Sequence, residues 1–201
     1  MRVSKRVGFP DPMQAHGAWV FLFVSVMAGS LLGSRGGVEI PLLVGTAYAG
    51  AFLVVAAIVA GLRRKLRQAL VGLLLAGLGP ILALWLGAKI EFLFIGPLAA
   101  CCALISVGWA RRFGLLAPIV LLAGVASLCM AAPATALAGG ASVQRSAMLF
   151  AALWPVFAWR SLRIARPLRK GAAWQRETLR SRGLREAAIA MLWSLAAVLA
   201  I

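Results

Sequence analysis

The chain has 201 residues, of which 63% are apolar and 13% are charged, and its mean hydropathy is +0.95. So many apolar side chains exceed what the core of one soluble domain can bury, which excludes an ordinary soluble protein. The 21 Lys and Arg residues outnumber the 5 acidic residues, a balance also typical of nucleic-acid-binding proteins. The cations, however, lie in short clusters between apolar runs, as in loops that flank membrane helices. We therefore expect a polytopic membrane protein and no nucleic-acid partner.

The apolar runs have the length of membrane-spanning helices. A hydrocarbon core of about 30 Å takes about 20 apolar residues in a helix to cross. Lipid offers the backbone no hydrogen-bond partners and the runs show no apolar/polar alternation, so we expect an all-α bundle forming one integral membrane domain over residues 1 to 201. Seven helices are predicted, over residues 15 to 33, 39 to 62, 69 to 88, 92 to 110, 115 to 138, 146 to 161 and 184 to 201.

The distribution of Lys and Arg predicts the orientation of these helices. Summed over alternate connections, one side of the membrane receives 18 basic residues and the other receives 3. The positive-inside rule places the richer side in the cytoplasm, which puts the N-terminus there too. The largest cluster is a basic cytoplasmic connection over residues 160 to 186. We expect this connection to determine topology and to attract anionic lipid headgroups, at about 1 kcal/mol per basic residue near the surface.

The seventh segment is the shortest in apolar length. Residues 187 to 201 are 15 uncharged residues, which span only about 22 Å at the helical rise of 1.5 Å per residue. They cross the bilayer if residues 184 to 186 contribute or if the bilayer thins locally. Six helices followed by a partly inserted tail are the alternative.

Small residues recur on one face of the first predicted helix. Ser25, Gly29 and Gly33 follow one another at four-residue spacing, and small residues at this spacing let membrane helices approach closely. We expect a packing face here, which could also receive a partner membrane protein. Bends are expected at prolines within or near the ends of apolar segments, namely Pro80, Pro97, Pro118, Pro133 and Pro155.

His16 is the one histidine of the chain and lies where the basic N-terminal tail meets the first apolar run. Its imidazole could handle protons or bind a ligand near neutral pH. A metal or haem site needs further ligands that this sequence lacks, so we predict neither metal nor cofactor. The favoured interpretation is a residue that anchors the helix end at headgroup level. The hypothesis of a ligand site combines residues expected at the cytoplasmic mouth: His16, Trp19, Arg111, Arg112, Arg160 and Arg163.

Other kinds of chemistry lack the residues they need. No acidic residue falls in the middle of an apolar segment, which argues against an ion-coupled carrier. The single aspartate, Asp11, cannot form the clustered magnesium site of an intramembrane prenyltransferase. Cys101, Cys102 and Cys129 lie in apolar runs and are expected to be small buried hydrophobic residues. We find no set of residues that predicts a catalytic site.

Residues 16 to 19, His-Gly-Ala-Trp, follow Pro12 at the entrance to the first helix. This motif resembles the YwiC-like family of bacterial membrane proteins, although Ala15 stands where that family typically has glutamate. The resemblance implies a multi-pass protein of the bacterial cytoplasmic membrane and implies no reaction. Our first hypothesis is a non-enzymatic carrier or membrane-complex subunit. The alternative is a membrane enzyme or transporter acting on a lipid or an anionic metabolite, with His16 and the cytoplasmic arginines at its polar site.

Overall fold

A computed structural model of the protein describes residues 16–33, 37–61, 63, 65–169 and 176–201, with side chains for 17–33, 37–61, 63, 65–166 and 185–201. Within these residues the chain is helical and contains no β-strand. A short 3-10 turn, Ile90–Phe94, precedes the fourth helix. The α-helices are α1 (His16–Gly33), α2 (Glu39–Ala60), α3 (Leu66–Trp85), α4 (Ile95–Phe113), α5 (Pro118–Cys129), α6 (Ala131–Ala138), α7 (Val143–Arg169) and α8 (Arg176–Ala200).

The all-helical prediction is confirmed, and each predicted segment falls on a helix. In the described part of the chain, five helical segments are long and apolar enough to cross a membrane: Glu39–Ala60, Leu66–Trp85, Ile90–Phe113, Pro118–Ala138 and Val143–Arg166. Gly17–Gly33 is a shorter apolar helix. α7 continues well beyond the predicted end at residue 161, because arginine favours helix nearly as well as leucine does.

The α-helix is interrupted between α5 and α6, one turn before Pro133, a position at which the sequence predicted a bend. Proline has no N–H to donate to the carbonyl of Cys129, four residues earlier, and its ring crowds that carbonyl. The α-helix accordingly ends at Cys129 and resumes at Ala131. α5 and α6 remain nearly continuous, since the N–H of Ala134 still donates to the carbonyl of Met130, with N and O 3.2 Å apart.

α6 lies at the centre of the bundle. All eight of its residues are buried, and most of them are alanine. α1, α2 and α7 pack around it. Because alanine side chains are short, the surrounding helices can bring their backbones close to this central helix.

The small-residue face of α1 packs against α6 of the same chain. A Cβ atom added to Gly33 would lie 2.7 Å from the carbonyl oxygen of Ala136, and one added to Gly29 would overlap Thr135 and Ala132. Ser25, one turn earlier, is fully buried. The predicted packing face is therefore present, and it is occupied by this chain's own central helix.

α2 and α3 form a second close helix pair. A Cβ on Gly50 would lie 2.5 Å from the carbonyl oxygen of Gly72, and a Cβ on Gly72 would lie 2.6 Å from that of Gly50. Gly79 approaches the carbonyl oxygen of Leu43 in the same way, at 2.6 Å. α3 thus packs mainly along α2 at the periphery, as α4 packs along α5 on the other flank.

Side-chain contacts show which helix ends lie together. The Trp19 ring lies 4.8 Å from that of Phe52, and Phe21 stacks on Phe157 at the same centroid distance. The start of α1, the second half of α2 and the second half of α7 are therefore at one end of the bundle. At the opposite end, Phe92 packs in one cluster with Ala83 and Ala138.

We call the first of these the basic end because most of the described cations lie there. Its cations are Arg63, Lys65, Arg67, Arg111, Arg112, Arg160, Arg163, Arg166 and Arg185, whereas Lys89 and Arg145 lie at the opposite end. The packing of the helices thus separates these cations into the same two groups as the assignment of alternate connections to opposite sides.

α8 runs antiparallel to α7. Glu186 pairs with Arg160, and the indole N–H of Trp193 donates to the carbonyl oxygen of Ala152 at 2.9 Å. The interval of seven positions from Glu186 to Trp193 on α8 therefore runs alongside the interval of eight positions from Arg160 back to Ala152 on α7. At about 1.5 Å per residue, the remaining length of α8 brings Ile201 level with the first turn of α7.

The contact between α1 and α6 can be tested with two glycine substitutions. Gly29→Ala places a methyl group against Thr135 and Ala132, and we expect a loss of about 1–3 kcal/mol in the free energy of unfolding. Gly77→Ala is the matched control, because a Cβ there meets nothing within 4 Å and alanine favours helix by about 0.5–1 kcal/mol. Thermal unfolding in detergent should separate the two variants. Equal stability of Gly29→Ala and the wild type would contradict the close packing.

Candidate functional site at the basic end

The predicted site begins with the first turn of α1. His16 is the first residue of that helix, but its side chain lies outside the described residues, so its proposed role stays a prediction. Trp19 is half-buried and meets Phe52 edge to face, with an angle of 77° between the rings. This contact makes Trp19 part of the packing between α1 and α2.

Arg111 and Arg112 occupy the last turn of α4 and are exposed. Cations at a helix C-terminus offset the partial negative charge of its free carbonyl groups. The guanidinium of Arg112 lies 5.6 Å from the centroid of the Phe113 ring, a distance at which a cation is attracted to the ring face. Both residues therefore have roles within α4.

Arg160 is paired inside the protein. Its guanidinium forms a salt bridge with Glu186 of α8, and the two side chains are 12% and 28% exposed, respectively. A buried arginine is costly unless a carboxylate compensates it. The pair therefore joins α7 to α8 and leaves Arg160 less available to a ligand than the sequence suggested.

Arg163 and Arg166 face a surface groove of about 460 Å³. Pro118, at the start of α5, and Trp159 and Leu162, on α7, provide the rest of its lining. The Arg163 guanidinium lies 5.6 Å from the centroid of the Trp159 ring. Of the predicted site residues, this groove contains Arg163 alone.

Sequence reasoning missed the other four residues of this groove as site residues: Pro118, Trp159, Leu162 and Arg166. Trp159, Arg163 and Arg166 stand at positions i, i+4 and i+7, which share one face of a helix. That spacing could have indicated Arg166. Nothing in the sequence indicated Pro118, because its contact with this face depends on how α5 packs against α7.

A second groove at the basic end differs in the character of its lining. Its volume is about 470 Å³, and it is lined by Arg63, Lys65, Leu66, Arg67 and Gln68 around the start of α3. It contains more basic residues than the groove at Trp159, but it has one apolar side chain and no aromatic ring. The two grooves therefore provide similar volume and positive charge with different walls.

Of the described acidic side chains, only Glu186 lies at the basic end. Glu39 begins α2 and Glu91 lies in the 3-10 turn, both at the opposite end, while Glu186 is paired with Arg160. Among the described residues, no group of three His, Cys, Asp or Glu side chains could hold a metal ion. The groups that this end offers to a ligand are guanidinium and ammonium donors, which recognise anions.

The cysteines differ in their surroundings. Cys129 is buried as expected, Cys102 is half-buried, and Cys101 is exposed. The expectation of burial is therefore wrong for Cys101. The reason is that α4 packs mainly along α5 and turns the opposite face outward.

The pair formed by Arg160 and Glu186 predicts the effect of removing one charge. Glu186→Gln leaves the guanidinium uncompensated, and we expect a loss of about 1–3 kcal/mol in stability, below the value for a fully buried pair because Glu186 is partly exposed. Chemical or thermal unfolding in detergent provides the measurement, with Glu91→Gln as the control. Adding Arg160→Gln should recover part of the loss, since the two residues interact. Independent, additive effects of the two substitutions would contradict the pairing.

Comparison with models of known protein families, with curated proteins and with solved structures finds no match to this chain. The resemblance of residues 16 to 19 to the YwiC-like family therefore stays a prediction that rests on those residues. Interpretation of the function accordingly rests on the fold and on the basic end.

Proposed function

We propose that the protein is a multi-pass integral protein of the bacterial cytoplasmic membrane, with seven membrane helices and a cytoplasmic N-terminus, and that it acts as a subunit of a membrane complex. This is the first of the two hypotheses raised by the sequence, with the subunit role preferred to that of a carrier. The YwiC-like resemblance of residues 16 to 19 is in accord with the location. The observation that carries the proposal is the close-packed, uncharged core around α6.

The character of the core supports a subunit over a carrier. The buried polar residues among those described all bear hydroxyl groups: Ser25, Ser30, Thr135, Ser146 and Ser194. Carriers generally place charged or strongly polar groups near the middle of the membrane to bind their substrate and coupling ion. Here the centre of the bundle is the alanine-rich α6, whose backbone α1 approaches through Gly29 and Gly33.

The peripheral helices support the same proposal. α3 and α4 each pack mainly along one neighbour. Large apolar side chains are exposed on both, including Leu74 and Ile81 on α3 and Leu104 on α4. Lipid and the helices of another membrane protein can both cover such surfaces.

The distribution of charge supports the orientation. Of the cations whose side chains are described, nine lie at the basic end and two lie at the other, and cytoplasmic loops are the ones enriched in Lys and Arg. α8 supports the seventh span, because its C-terminal end reaches the level of the first turn of α7. Residues 184 to 186 add three residues, or about 4.5 Å, to the helical length available for this span.

Reporter fusions test the orientation and the helix count. A reporter active only outside the cytoplasm should be inactive after Arg63 and Gly114 and active after Gly87, Gly140 and Ile201. The physical reason is the clustering of cations at the basic end, which resists translocation. An inactive reporter after Ile201 alone would favour six helices and a partly inserted tail. The reverse pattern at all five positions would overturn the orientation.

His16→Ala tests the alternative of an enzyme or transporter that uses the histidine. We expect His16→Ala to insert in the membrane normally and to restore the phenotype of a strain that lacks the protein, because a subunit held by helix packing needs no titratable group. Gly29→Leu, which disrupts the contact between α1 and α6, should fail to restore it. Loss of function in His16→Ala at normal membrane levels would favour the alternative instead.

A further inference from the structure

The groove at Trp159 combines apolar walls with positive charge. Pro118, Trp159 and Leu162 form its apolar lining, and Arg163 and Arg166 provide two guanidinium groups. Trp159 is 59% exposed, so its ring is accessible from the groove side of α7. An occupant that suits this lining has both an anionic group and an apolar body.

The two arginines lack an anionic partner among the described side chains. Of the described carboxylates, Glu186 pairs with Arg160, and Glu39 and Glu91 lie at the far end of the bundle. The Trp159 ring attracts the Arg163 guanidinium, which limits the conformations of that side chain before a ligand arrives. Guanidinium groups bind phosphate oxygens through two parallel hydrogen bonds, so a phosphate ester complements this pair.

The position of the groove along α7 matches the boundary of the membrane. The candidate membrane span of α7 is Val143–Arg166, so the groove residues Trp159 to Arg166 lie at its end, and Pro118 is the first residue of α5. Seven residues separate Trp159 from Arg166, which is about 10 Å along a helix. Tryptophan prefers the interface between hydrocarbon and headgroups. The apolar part of the groove would therefore face acyl chains, and the arginines would lie among phosphates.

We propose that this groove binds one anionic phospholipid, with its phosphate held by Arg163 and Arg166 and its glycerol and upper acyl chains against Trp159, Leu162 and Pro118. The inference rests on the membrane location and orientation proposed above. The sequence predicts only a general attraction of the basic end for anionic headgroups, whereas this proposal assigns one lipid to one groove.

The groove around the start of α3 provides an internal comparison. It has a similar volume, about 470 Å³, and contains Arg63, Lys65 and Arg67. Its single apolar side chain and lack of an aromatic ring offer little contact to a lipid's glycerol and acyl chains. We therefore expect diffuse electrostatic attraction at this groove and selective lipid binding at the other.

Lipid titration of the full-length protein in neutral detergent tests the proposal. Native mass spectrometry would count bound phosphatidylglycerol and, in a parallel sample, phosphatidylcholine. We expect one phosphatidylglycerol to bind the wild type selectively. The double variant R163Q/R166Q should lose affinity by about 30-fold, or about 2 kcal/mol, because it removes the charge-assisted hydrogen bonds from both guanidinium groups to the phosphate. The matched control R63Q/R67Q removes the same charge and should change affinity less than about 2-fold, because those residues only add to the diffuse field.

Two further measurements separate a lipid from a free phosphate ester and guard against misfolding. Glycerol 3-phosphate in millimolar excess should fail to displace the lipid, since it lacks acyl chains. R163K/R166K keeps the charge but loses the bidentate geometry, so it should fold and still bind phosphatidylglycerol several-fold more weakly than the wild type.

Three results would overturn the proposal: equal binding of the two lipids, equal losses in R163Q/R166Q and R63Q/R67Q, or displacement by glycerol 3-phosphate. Unchanged affinity in R163K/R166K would likewise contradict the proposed bidentate contact between the guanidinium groups and the phosphate. The reporter fusions are independent of these outcomes. A failed lipid test with the expected reporter pattern would reject the groove alone, whereas a reversed reporter pattern would reject the orientation.

Discussion

The contact between α1 and α6 is the constraint on which the rest of the bundle depends. In lipid, burying apolar side chains against other apolar side chains gains little, so helices associate through close packing and local polar contacts. Gly29 and Gly33 allow the backbone of α1 to reach Ala132 and Ala136. Because α6 is buried along its whole length, the position of α1 also limits where α2 and α7 can pack.

Antiparallel packing around α6 then determines the distribution of charge. Successive helices return to the same end at every second connection, and the sequence places its basic clusters at those connections. The arrangement repels itself, since nine of the eleven cations with described side chains lie at the basic end. Dissolved counterions screen this repulsion. The order of the basic clusters along the sequence and the packing of the helices are independent properties of the chain. Both place the same helix ends together.

The sequence predicted the helices well because apolar length and backbone hydrogen bonding leave few other structures in a membrane. It also predicted the face formed by Ser25, Gly29 and Gly33, but spacing along one helix cannot identify the helix it meets. The site was less predictable for the same reason. Arg160 was expected to line a ligand site, whereas folding brings Glu186 from 26 positions along the chain to pair with it. Tertiary pairing of this kind leaves no local pattern in the sequence.

The depth of each arginine on α7 accounts for the different ways in which their charges are satisfied. Arg160 is 12% exposed and directly follows the apolar stretch of α7, where an uncompensated charge is costly. Only a carboxylate from the protein can neutralise it there, and α8 supplies Glu186. Arg163 and Arg166 lie one and two turns farther out and are exposed. In the site proposed above, the phosphate of a bound lipid would supply the anion at that level.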